Sequence, residues 1–251
     1  MNEKIIYDRL VKEGKKISLA QPKKEIISFT ENQKADELLN DLTNHPHAFV
    51  LGCIMDRQIS ARRAWLIPYE ISKRIDDFSI NKLKSLSLAD VNDLMSKPHN
   101  LHRFNEKMSD CFYSAIQRID QKYAGNASCI WSSNPTSAEA VYRFLEFDGV
   151  GPKIASMAVN ILSRLFKIPF SDHYSIDISP DVHVRRVFGR LGFCAVNASP
   201  EIVIWKAKTL YPKFPGIIDP PCWEIGFNWC HATKPECGLC YMHDLCPSAI
   251  Q

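Results

Sequence analysis

Apolar side chains recur three and four positions apart along most of the chain, the spacing that lines one face of a helix. The clearest run is Ile154, Ala158, Ile161, Leu162 and Leu165, and Val141, Phe144 and Leu145 form a shorter stripe before it. Leu101 to Tyr123 reads as a long amphipathic helix with Met108, Phe112, Ile116 and Ile119 on one face. Later, Val184, Val187, Phe188 and Leu191 turn inward and leave Arg185, Arg186 and Arg190 for the other side. Thr30 with Gln33 resembles a capping box that opens a helix carrying Leu38, Leu39 and Leu42, and His45-Pro46 ends it. Further helices are expected over Ala48 to Met55, Ser60 to Arg74, Ser87 to Met95, Ser199 to Leu210, and from Pro220-Pro221 onward. Residues 1–29 give no firm element, and Pro169, Asp172, Asp177 and Pro180 punctuate an irregular stretch after Phe166. No segment alternates as a strand does. The pattern predicts an all-α protein.

The two stripes around residue 150 enclose Phe147-Asp148-Gly149-Val150-Gly151-Pro152-Lys153. Gly149 and Gly151 permit a tight reversal that other residues resist, and Pro152 suits the first turn of the helix that follows. Such a turn directs free amide N–H groups and a helix N-terminus outward, a ready site for a phosphate. Lys153 falls away from the apolar stripe, nearest Met157, Asn160 and Arg164 by helical spacing, and is expected outside the core.

Composition narrows the class only a little. The 251 residues are 45% hydrophobic and 24% charged, ordinary for a soluble globular protein. No apolar run reaches the ~18 residues of a membrane span, and the charged start does not resemble a signal peptide. A cytoplasmic, monomeric protein is expected. A net charge of +3 does not by itself argue for a polyanionic partner.

Cysteine changes the picture more. Of nine, Cys53, Cys111, Cys129, Cys194 and Cys222 are dispersed and expected as small buried apolar groups. The remaining four form Cys230-x6-Cys237-x2-Cys240-x5-Cys246, with Pro235 and Gly238 supplying turns. Without a secretory signal, this cluster reads as metal or iron–sulfur ligands, with a disulfide pair a poor third. Thiolate chemistry alone does not separate a four-cysteine zinc site from an iron–sulfur centre.

Taken with the hairpin, the pattern resembles the endonuclease III family, the helix-hairpin-helix DNA glycosylases that carry a [4Fe-4S] cluster. Lys234-Pro235, Gly238 and Asp244-Leu245 are similar to the family's cluster loop, and Gly226 also fits. Gly149-Val150-Gly151-Pro152-Lys153-Ile154-Ala155 is similar to its hairpin, and Asp181-Val182-His183 to its Val-Asp-x-His segment. Ile54 to Ser60 resembles an early helix that supplies a DNA-inserting glutamine. The sequence departs from the family at Phe147-Asp148, where Leu-Pro is usual, and in a longer segment between Lys153 and Asp181, concentrated in residues 168–180. The glutamine segment is nearer to the alkylpurine and archaeal branches.

The resemblance implies two helical domains with a DNA-binding cleft between them. One is a six-helix barrel over residues 46–164 that includes the hairpin; residues 1–45 and 165–251 form the cluster domain. Breaking an N-glycosidic bond develops positive charge on the sugar, so a carboxylate beside it stabilises the transition state. Asp181 suits that role, and it also suits an N-cap. Lys153 is either the amine that attacks C1′ or an ordinary phosphate contact; in the family, lysine here marks members with lyase activity. Gln58 would fill the gap left by a flipped nucleotide, with Arg57 on the orphan base or a phosphate. The amides around Gly149 and Gly151 would hold a phosphate, aided by a monovalent cation, and Lys234 is a further phosphate candidate. Cys230, Cys237, Cys240 and Cys246 would hold the cluster. The implied function is a bifunctional DNA glycosylase and abasic-site lyase of base excision repair, acting on double-stranded DNA with a damaged base or abasic site. Oxidised pyrimidines lead among the substrates. Uracil, alkylated or oxidised purines are neighbouring alternatives, and a non-catalytic DNA-binding module with a structural metal is the alternative from another class.

Overall fold

In the computed structural model, which describes residues 3–19 and 26–249, regular structure is helical and no strand occurs among those residues. The chain divides into two compact units. One comprises Lys24–Pro135 and Tyr142–Ala158, the other Met1–Lys23, Thr136–Val141 and Val159–Gln251.

Within residues 1–29 the sequence pattern gives no firm element, yet Glu3–Leu19 forms helix α1, with Ile6, Tyr7, Leu10 and Val11 buried. Helix α2 (Gln33–Asn40) is capped by Asn32 rather than Thr30: the Asn32 Oδ1 accepts from the Ala35 amide at 3.1 Å. Thr30 instead donates its hydroxyl to the buried Asp36, which also accepts from the Phe29 and Thr30 amides. Asn40 closes α2 by exchanging hydrogen bonds with the Ile27 backbone, so Leu42 lies outside the helix. His45-Pro46 does not end α2. Pro46 is the first residue of α3 (Pro46–Met55), where its missing N–H costs nothing.

Helix α3 is buried along its whole length and, His47 apart, apolar all round, as suits a central helix. Helix α2, α4 (Ala61–Ser72) and α7 (Asn105–Tyr123) pack against it, while α5 (Ile80–Lys84) and α6 (Leu88–Ser96) pack on α7. Trp65 of α4 lies 5.6 Å from the Phe49 ring and stacks on Phe29 at 4.6 Å. Helix α7 begins later than its apolar pattern predicts, because His102 Nδ1 accepts the Phe104 amide at 3.0 Å in the turn before it. Phe104, which precedes the helix, is exposed beneath Arg103.

Helices α8 (Ser137–Leu145) and α9 (Pro152–Arg164) enclose the hairpin. The α8 stripe is narrower than expected: Phe144 is buried, Leu145 exposed. Asn160, expected on the polar side of α9, is buried and donates to the Gly216 carbonyl at 3.1 Å. In the same unit α10 (Val182–Arg190) and α1 pack on α12 (Asp219–Asn228), and α11 (Pro200–Leu210) joins α10. Leu10, Val184, Phe188, Val203 and Ile225 share that core. Of the dispersed cysteines, Cys53, Cys111 and Cys222 are buried as expected, whereas Cys129 is exposed and Cys194 half-buried.

Candidate functional site

The hairpin needs one glycine more than two. Gly149 has φ +83°, and a Cβ there would sit 2.8 Å from Cys111 Sγ, so conformation and packing both exclude a side chain. Gly151 has open space where a Cβ would go; its carbonyl accepts the Ala155 amide at 3.0 Å, and α9 starts there. Lys153 is therefore the second residue of α9. Its side chain is 42% exposed, and Nζ lies 3.2 Å from Asp56 Oδ2, whose own side chain is only 8% exposed.

Asp56 is the residue on which α3 ends. Arg57 and Gln58 follow it in a bend and are exposed, so Gln58 is not on a helix as expected. Its φ is +56°, a conformation few non-glycine residues adopt. The residue is exposed in a short stretch bracketed by α3 and α4. Arg57 is close to the hairpin: a Cβ on Gly149 would lie 3.6 Å from its Nη1. Thus Asp56, Arg57, Gly149 and Lys153 are gathered in one unit.

Asp181 belongs to the other unit, where it caps α10. Its Oδ1 accepts the His183 and Val184 amides at 2.8 and 2.9 Å, which leaves Oδ2 for other partners. His183 is held by packing and hydrogen bonding: Nδ1 faces Arg186 Nη2 at 3.0 Å, and its ring meets Trp223 and Phe227. Gly226 is required where α12 crosses α10, since a Cβ there would lie 2.7 Å from His183 Cβ.

All four clustered cysteines are half-buried free thiols, and all four line one cavity of about 220 Å³. Val187, Leu191, Ile225 and Trp229 supply its apolar walls. Burial pushes the Cys240 and Cys246 thiols up. Among the described residues, no group of three or more His, Cys, Asp or Glu side chains converges as the ligand set of a metal ion. The cysteines ring a space instead. Arg190 braces the loop, donating to Cys230 Sγ at 3.2 Å, to the His231 carbonyl at 2.7 Å and to the Ala232 carbonyl at 3.0 Å. Lys234 is exposed at φ +53° in the same loop.

No family model matches the chain. A solved non-covalent endonuclease III–DNA complex superimposes over 100% of this chain and 97% of its own, with a TM-score of 0.64 and 18% identity. The chain has the endonuclease III fold. A trapped covalent endonuclease III–DNA intermediate gives a TM-score of 0.59 at 18% identity, over 87% of this chain and 96% of that one. In sequence, the chloroplastic endonuclease III homolog 2 of Arabidopsis thaliana is 26% identical over 130 residues. That match takes in 49% of this chain and 31% of the relative's length. It supports the helix-hairpin-helix DNA glycosylase family that the motifs resemble.

Within this endonuclease III fold, two features escape sequence reading. Asp56 stands inside the glutamine segment as an acid ending an apolar helix, and only folding brings it to Lys153. Arg186 and Arg190, assigned by pattern merely to the outer face of α10, bind carbonyls at Gly226, Cys230, His231 and Ala232. The longer segment at 168–180 is tied into its own unit. Ile176 and Ile178 are buried, the Ile176 carbonyl accepts from Gly216, and the Ser179 amide donates to Asp219. The segment therefore contributes to the core, with Tyr174 left exposed on its surface.

Proposed function

We propose that this protein is a bifunctional DNA glycosylase with abasic-site lyase activity, acting in base excision repair on double-stranded DNA. One observation carries the reading: a half-exposed amine stands at the start of α9, directly after the Gly149 turn, with a carboxylate 3.2 Å away. The endonuclease III fold supports placing DNA against this hairpin, where the amides that open α9 offer donors to a phosphate and the hairpin carbonyls suit a monovalent cation.

In this mechanism the Lys153 amine attacks C1′ of a nucleotide drawn out of the duplex, and the N-glycosidic electron pair leaves with the base. Positive charge develops on the sugar, and the Asp181 carboxylate stabilises it through the oxygen that its cap leaves over. The sugar opens to an iminium on Lys153. Loss of a C2′ proton then expels the phosphate on the 3′ side by β-elimination. Gln58 fills the space vacated by the nucleotide, Arg57 contacts the orphan base or a phosphate, and Lys234 meets the backbone. Oxidised pyrimidines are the leading substrates.

Cys230, Cys237, Cys240 and Cys246 would hold a [4Fe-4S] cluster. Four thiols spread around a 220 Å³ space suit a multi-atom centre better than one ion, whose tetrahedral site would draw sulfurs to within about 4 Å of each other. When bound, the cluster supplies cross-linking of the loop. A brown protein absorbing near ~400 nm is expected, and a colourless zinc protein would overturn this assignment.

The deciding experiment is borohydride trapping on a duplex with one abasic site. The wild type should form a covalent adduct and Lys153→Ala should not; an undiminished adduct without Lys153 would reassign the nucleophile. A panel of duplexes, each carrying one lesion, then names the base.

A further inference from the structure

Asp56 and Lys153 are each at the unfavourable end of a helix. Asp56 puts a negative charge where the free carbonyls of α3 already make a negative pole, and Lys153 puts a positive charge on the positive pole of α9. The carboxylate is moreover almost wholly withdrawn from water, which penalises it further. A pair selected for stability would reverse these placements. Local choices that conflict with stability mark functional positions.

Building on the reading of Lys153 as the nucleophile, we infer that Asp56 is the base that takes the proton from its ammonium and returns it to the departing oxygen. At an abasic aldehyde the balance closes within the site. Nζ gives a proton to Asp56 Oδ2, and its freed lone pair forms the bond to C1′. The carbonyl electron pair moves to oxygen, which takes a proton from Asp56. The nitrogen then loses a second proton to Asp56, the hydroxyl departs as water with that proton, and an iminium remains. One ammonium and one aldehyde become one iminium and one water, and Asp56 ends as the carboxylate it was.

The surrounding ionisable groups leave this task to Asp56. Arg57 follows on the same bend, and His102 lies against the Met55–Arg57 backbone. Cys53 is one turn back in α3, Cys111 and Lys107 are on α7, and Asp148 is in the hairpin. Burial raises the Cys53 and Cys111 thiols and lowers His102, so none of the three carries charge at neutral pH. Asp148 is engaged by the Ser114 hydroxyl at 2.5 Å.

The test follows adduct formation on abasic duplex by the full-length protein across pH 6 to 10, for wild type, Asp56→Asn and Asp56→Glu. Asp56→Asn keeps the side-chain shape but accepts no proton, and should slow trapping roughly 10²-fold at neutral pH. The deficit should shrink as pH rises, because solvent then supplies the neutral amine; Asp56→Glu should restore part of the rate. An Asp56→Asn profile that overlays the wild type, or a deficit equal at every pH, overturns the inference while leaving Lys153 as nucleophile. Failure of the wild type to trap would instead overturn the proposed function. If Asp56→Asn does not fold, Asp56→Glu alone decides: a rate optimum moved along pH supports the base, and an unmoved one rejects it.

Discussion

Asp56 and Asp181 are both carboxylates at helix ends, and they differ in which end. Asp181 stands before α10 and accepts two of its orphan amides, so its negative charge, its hydrogen bonds and the helix dipole agree. Asp56 stands at the end of α3, opposes the dipole, and is held by a lysine across the turn. The first carboxylate would be kept by stability alone. The second works against its own helix, and the proton transfer inferred for Lys153 accounts for its place. The contrast shows why a capping position is weak evidence for catalysis while a misplaced charge is stronger evidence.

The largest effect that sharpens this contrast is on activity. Asp181→Asn retains a side chain that caps as well as aspartate does but removes the charge, so base excision should fall roughly 10²–10³-fold with little change in melting temperature. Loss of stability in step with activity would make Asp181 only a cap. The turn that aims Lys153 at Asp56 comes next. Gly149→Ala forces an alanine to positive φ against Cys111 and should cost roughly 2–4 kcal/mol in chemical denaturation, whereas Gly151→Ala should stay within about 0.5 kcal/mol.

The helix that ends in Asp56 also carries a pH-sensitive core group. Burial lowers the His47 pKa from 6.5 to about 4, and Nε2 donates to the Phe78 carbonyl at 2.7 Å. Between these values the unfolded chain binds a proton that the folded one does not. Stability contributed by neutral His47 is thus complete above pH ~6.5 and lost as pH falls towards ~4, up to about 3 kcal/mol. Denaturation at pH 7.5 and pH 4.5 should show this loss, and His47→Gln should flatten it.

The smallest effects compare the two acids directly. Asp181→Ala should cost about 1 kcal/mol for the lost cap. Asp56→Asn should change stability by about 0.5 kcal/mol or less, because it leaves a half-exposed ammonium that water can solvate and relieves the end of α3. A large loss on Asp56→Asn would mean the pair is structural after all.

Much of the fold is legible in the sequence, since helices that bury one face write their period into the chain. The inward residues of α10 and the capped start of α6 at Ser87 needed no tertiary information. Helix α1 escaped because its apolar stripe is embedded in lysines and glutamates that read as solvent-facing. Asn32 won the α2 cap from Thr30 because Asp36, buried three-dimensionally, claims the threonine hydroxyl.

By itself the sequence determined an all-helical chain, a glycine-led turn before Lys153, an aspartate opening α10 and four cysteines in one short loop. These are local facts, set by spacing and by what each backbone position tolerates. Only the tertiary structure decided that Asp56 meets Lys153, that the four thiols share one cavity, and that Arg190 binds the loop carrying them. Those contacts join residues far apart in sequence, and their geometry depends on how buried helices pack, which no local pattern records.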